Sequence, residues 1–145
     1  MAELLGREPK GRFEVVVRDP QGDPVVIRSS PLLDDATPMP TLYWLVGDEA
    51  RKAVSRLEAT GCVRAANEAV DGDELAAAHA RYAEQRDVEL PAGHAGPRPV
   101  GGVGGTRRGV KCLHAHYAWF LAGGEDPVGR WVDAQLRSSQ LRSEP

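Results

Sequence analysis

Two cysteines, Cys62 and Cys112, are all that 145 residues provide, and no apolar run reaches the length of a signal peptide or a membrane span. Two thiols cannot build a disulfide framework, and they fall short of the four ligands that a structural zinc site needs. The missing apolar run predicts a cytoplasmic protein with reduced thiols and no membrane partner. Lysine is scarce as well: of 18 basic residues only Lys10, Lys52 and Lys111 are lysines, and the net charge is −3. Such a field gives nucleic acid no general attraction, so no nucleic-acid partner is expected and any anion site must be local. The chain also lacks a Gly-x-Ser-x-Gly elbow, a His-Glu-x-x-His pair and the Gly-Lys-Ser/Thr end of a P-loop. No ready-made hydrolase, metalloprotease or nucleotide-binding reading applies, and the cofactors stay unknown.

What is present suits one folded domain spanning 1–145. Apolar residues make up 41% and charged residues 27%, and a chain of this size buries roughly 68–70% of its unfolded surface in one core. The ordered core is expected over about 12–137, with a Gly/Pro-rich loop at 91–105 and a frayed tail at 138–145.

Phe13, Val15 and Val17 alternate along 12–18, and 25–28 is a second β-rich run. Asp19-Pro-Gln-Gly-Asp-Pro24 between them reads as a hairpin turn. Residues 41–46 are apolar on both faces, which predicts a strand that is central or covered on both sides. The period then changes. Asp48 is placed to cap a helix carrying Ala50, Ala53, Val54 and Leu57, stopped at Gly61, and a short helix with Val63, Ala66 and Val70 follows. Asp73 is placed to cap a longer one to about Val88, with Leu75, Ala78, His79 and Tyr82 on one face. Three prolines and six glycines within 91–105 deny that stretch regular structure. Thr106 then reads as the cap of a helix over 107–122, stopped by Gly123 and Gly124. Asp126 and Pro127 open a last helix through Trp131, Val132 and Leu136. The fold class is α+β: a small three-stranded antiparallel sheet from the N-terminal third, packed with about five helices.

The chemically loaded stretch runs from Gly101 to Gly124. If a helix begins after Thr106, its unpaired amides and positive dipole end, with Gly104, Gly105, Thr106, Arg107, Arg108 and Lys111, form a cradle for a phosphate or carboxylate. The leading expectation is thus a module binding a small anionic ligand. The bland reading is a flexible loop before an ordinarily capped helix. In that helix Cys112 and His116 share a face, four residues apart, while His114 points about 160° from His116 at 100° per residue. A metal site is therefore not expected, and His79 or Asp19 would have to join Cys112 and His116 to make one. Cys112 is a candidate nucleophile with His114 or Lys111 as activator, although more than a turn inside the helix it would gain little from the dipole. The pairs Asp34–Asp35 and Glu125–Asp126 read as turn and cap residues.

Thr37-Pro-Met-Pro-Thr-Leu-Tyr-Trp-Leu45, Ala53-Val-Ser-Arg-Leu-Glu-Ala59, Val110-Lys-Cys-Leu-His114 and Asp126-Pro-Val-Gly129 together resemble the bacterial family called domain of unknown function 501, over roughly 12–129. The resemblance implies no particular activity. Relatives resemble one another in a Cys-x-Cys pair in the first hairpin, where this chain has Asp19 and Gln21, and in a Pro-Asp-Arg run where it has Arg107, Arg108 and Gly109. That comparison implies interest in Lys111, Cys112 and His114, with half of any hairpin-linked metal site missing. Three functions stay open: an anion-binding or regulatory module, an enzyme or metal-binding protein using Cys112 with His114 or His116, and a module for a protein partner.

Overall fold

The structure, a computed structural model, describes residues 13–32 and 37–143, with side chains through residue 139. Asp34 and Asp35 lie outside the described residues. Strands β1 (Phe13–Arg18), β2 (Pro24–Ser29) and β3 (Tyr43–Leu45) form an antiparallel sheet in the order β1-β2-β3. The hairpin turn is built as its composition demands. One oxygen of Asp19 accepts the amides of Gln21 and Asp23, at 3.0 and 2.9 Å, and Gly22 takes φ +88°. A register shift after Val15 leaves Val16 without a cross-strand partner.

β3 is an edge strand rather than a central one, with Val26 opposite Leu45 and Arg28 opposite Tyr43. Its all-apolar sequence fits the other expectation, cover on both faces: packing buries Leu42, Tyr43, Leu45 and Val46.

Five α-helices follow among the described residues: α1 (Asp48–Ala59), α2 (Cys62–Ala69), α3 (Gly72–Asp87), α4 (Leu113–Leu121) and α5 (Pro127–Ser143). The α+β class holds, and four boundaries differ from expectation. Gly47, not Asp48, precedes the first turn of α1, and Asp48 sits inside it where a carboxylate faces the dipole. Asp71, not Asp73, caps α3 by accepting the Glu74 amide at 3.0 Å. The helix expected from 107 begins at Leu113. Gly104, Gly105 and Gly109 hold positive φ, and the Thr106 hydroxyl donates forward to the Arg108 carbonyl instead of capping an amide. The last helix continues through Ser143.

α4 is the hub. Leu113, Ala115, His116, Tyr117, Ala118 and Trp119 are all buried, because β3 and α5 both pack against it. Gly123 at φ +99° turns the chain, and a side chain at Gly124 would strike the Trp119 ring at 2.3 Å. Polar threads fix the core around it. The buried Tyr82 hydroxyl accepts the Leu42 and Tyr43 amides at 2.6 and 3.2 Å, and burial pushes its pKa up to about 12. Gln85 donates to the Tyr43 hydroxyl and accepts the Trp119 indole N–H. Arg86, 1% exposed, donates to the carbonyls of Pro40 and Gly101 and pairs with Asp87. No helix among the described residues is long and apolar enough to cross a membrane.

Candidate metal centre

Because α4 starts at Leu113, Cys112 is its N-cap, in extended conformation at φ −148°, ψ 125°. Helical spacing no longer governs the residues before Leu113, and the expected partnership is reversed. Cys112 Sγ lies 3.8 Å from His114 Nδ1, whereas His116 faces the opposite way into the core. The thiol also stands at the N-terminal end of the helix, where the backbone dipole is positive.

α1 supplies the third group. Glu58 Oε1 is 3.1 Å from His114 Nδ1, and its other oxygen accepts the Leu113 amide at 2.9 Å. This carboxylate, 55 residues away in sequence, therefore satisfies the first free N–H of α4. One ligand atom each from Glu58, Cys112 and His114 lie within 4.8 Å of one another, and all three residues are half-buried. On the far side of the imidazole, Nε2 is 3.2 Å from Ser55 Oγ, and the ring also bonds the backbone of Arg51, one turn earlier on α1. A carboxylate only accepts, so without a metal Nδ1 carries a proton toward Glu58 Oε1, and a metal held there would take that proton's place.

Electrostatics agree. The hydrogen bond with Cys112 pushes the His114 pKa above the ordinary imidazole value, the charge of Glu58 adds to this, and burial opposes it. Nδ1 thus faces a spot that draws positive charge. Tetrahedral zinc with ordinary bond lengths would set S···N at about 3.5 Å and N···O at about 3.3 Å. The observed 3.8 and 3.1 Å depart from these by about 0.3 Å or less.

The other expected ligands are elsewhere. Asp19 is committed to the hairpin turn. His116, fully buried, holds Asp126 Oδ2 through Nδ1 at 2.6 Å, and its Nε2 has no partner. Asp126 Oδ1 meanwhile accepts the Val128 amide, so this residue caps α5 as expected and also anchors α4. His79 meets His116 edge to face, 5.7 Å between ring centroids, and both its nitrogens are bonded. Neither histidine belongs to the Glu58–Cys112–His114 group.

The glycine-rich stretch does not lead into a helix. Val103–Gly105 form a single 3-10 turn, and the amides of Gly102, Val103, Gly105 and Thr106 all bond acceptors within the protein. Arg107, Arg108 and Lys111 are exposed around it. Sequence reasoning missed Glu58 and Ser55, the α1 pair that brackets His114, and the only signal for them was their spacing of three on one helix face.

No curated protein and no solved structure gives a significant match to the chain. A family model, described as Protein of unknown function, matches residues 15–134, a span that contains most of β1, all of β2 and β3, the Glu58–Cys112–His114 group and the start of α5. The chain therefore belongs to the domain of unknown function 501 family.

Proposed function

We propose that this protein binds a divalent transition metal, of the zinc class, through Cys112 Sγ, His114 Nδ1 and one oxygen of Glu58. The observation that carries this reading is the convergence of three different ligand types at the start of α4. Thiolate, imidazole and carboxylate together suit a borderline ion such as zinc, and oxygen-seeking magnesium or calcium would not choose this set. Each ligand has an outer partner. Ser55 and Arg51 orient the imidazole, the Leu113 amide fixes the carboxylate, and the thiol is set at the helix terminus.

A nucleophilic cysteine is the weaker reading of the same atoms. A thiol–imidazole–acid relay needs thiol and acid on opposite ring nitrogens, and here Cys112 and Glu58 both face Nδ1. Three protein ligands leave the fourth position of a tetrahedral ion open, the composition of a catalytic rather than a closed structural site; a metal held there would acidify a bound water or polarise a substrate oxygen.

Cobalt titration of the purified full chain tests the assignment. Co²⁺ should bind with one equivalent and give a thiolate charge-transfer band that Cys112→Ser abolishes. Absence of binding at micromolar metal, or the same spectrum from the serine variant, would remove the proposal.

A further inference from the structure

One histidine outside this centre does a job that only its neutral form can do. His79, 3% exposed on α3, accepts the Val103 amide at Nδ1, 3.1 Å, and its Nε2 is 2.8 Å from the Gly109 carbonyl. An amide only donates and a carbonyl only accepts, so the two bonds together require a lone pair on Nδ1 and a proton on Nε2. The ring thereby ties together the two limbs of the strap from Gly101 to Val110.

The strap's other anchors do not titrate near neutrality. Arg86 holds the Gly101 carbonyl at 2.8 Å, and Asn67 takes the Val110 amide at 2.9 Å and donates to its carbonyl at 3.4 Å. Contact with the ring is close: a methyl at Gly102 would lie 2.6 Å from His79 Cβ and Nδ1.

We propose that His79 is a proton-operated latch: neutral, it holds both limbs of the strap onto α3; protonated at Nδ1, it loses the Val103 bond and frees the limb around Val103, while Nε2–H keeps the Gly109 carbonyl.

Burial lowers the His79 pKa from its ordinary value, so the latch is closed at neutral pH. Charges facing the ring act in both directions. His116 of α4 disfavours the proton, and Asp126, at the start of α5, favours it. On its own helix Arg86 and Asp87, and on the strap Arg107, line the same cleft of ≈ 410 Å³ beside the ring. With the Val103 limb released, His79 binds the proton at about the ordinary imidazole pKa of ~6.5. The opening constant therefore rises about tenfold per pH unit as pH falls from that value to the lower one of the closed form, and is flat outside that window. This inference is independent of whether the centre at α4 takes a metal.

Amide hydrogen exchange of the full chain, followed residue by residue from pH 8 to pH 5 with the intrinsic exchange rates divided out, tests it. Val103 should lose protection in the stated window, while Val110, held by Asn67, and Val46, bonded to the Val25 carbonyl at 2.8 Å, keep theirs. Nitrogen-15 shifts should show Nδ1 unprotonated at pH 8 and titrating with the loss at Val103. His79→Gln, which cannot take the proton, should make the exchange at Val103 independent of pH. Should that variant fail to fold, the two wild-type titrations decide alone. Constant protection at Val103, loss shared with Val46, or a protonated Nδ1 at pH 8 would each overturn the latch.

Discussion

Glu58 offers the sharpest experiment, because its two oxygens do separable work. Oε2 accepts the Leu113 amide and thereby starts α4, whereas Oε1 faces His114 and the proposed metal. Glu58→Ala removes both. Losing a side-chain cap destabilises by about 0.5–2 kcal/mol, and losing the carboxylate beside the dipole adds about 0.3–1 kcal/mol. Glu58→Gln keeps an oxygen that can accept from Leu113 and removes only the charge. Urea unfolding of metal-free protein should therefore rank wild type above glutamine above alanine, with the glutamine variant within about 1 kcal/mol of wild type. Metal affinity should rank differently. Loss of an outer partner typically weakens binding by about 10–100-fold, so loss of a ligand charge should weaken it at least as much in both variants. Competition against a coloured chelator measures this. If the glutamine variant binds metal like wild type, or unfolds as readily as alanine, the separation of roles is wrong.

Ser55→Ala removes the outer partner of His114, and metal affinity should fall about 10–100-fold in the same competition while the melting temperature of the metal-free protein barely changes. Tyr82→Phe strips the acceptor from two buried amides, Leu42 and Tyr43. An unsatisfied buried group costs about 1–3 kcal/mol, so urea unfolding should register a loss of at least that size, and a change below half a kcal/mol, roughly, would refute the account. Asp126→Ala leaves buried His116 without its partner and α5 without its cap; with about 1–3 kcal/mol for the unsatisfied buried group and about 0.5–2 kcal/mol for the cap, a thermal melt near that of wild type would contradict the 2.6 Å contact. Stability should also depend on His79. Its folded pKa lies below the unfolded value, so its contribution is complete above about pH 6.5 and is lost as pH falls through that value toward the folded one. His79→Gln should flatten that part of the stability–pH curve.

Much of the fold was legible because its signals are local. The Asp19–Pro24 turn, the alternation along 13–17, the Gly61 and Gly123 stops and the Asp126–Pro127 start each depend on neighbours within a few residues. What escaped depends on distance in sequence. Thr106 has the composition of a cap, yet the chain after it is diverted by Asn67 at Val110 and by His79 at Val103 and Gly109, residues on two earlier helices. Moving the helix start by six residues changed the chemistry more than the fold. It turned Cys112 from an interior residue into a cap and exchanged His116 for His114 as its partner. The position of β3 in the sheet stayed open for a related reason, since an edge strand under a helix and a central strand bury the same residues. Arg86 illustrates the limit: an arginine on a helix reads as surface, and only the carbonyls of Pro40 and Gly101 explain its burial.

The carboxylate that begins α4 also bears on the order of folding. Leu113 and Glu58 are 55 positions apart, so closing that loop must precede the last turn of the site, and local helix formation alone cannot assemble it. In the unfolded chain Cys112 and His114 are still near neighbours, able to hold an ion as an incomplete pair. An ion present during refolding would thus meet two ligands early and the third late. Metal added before dilution from denaturant should alter the refolding rate, and metal added afterwards should alter only the unfolding rate, which makes order of addition a readout of when α1 docks.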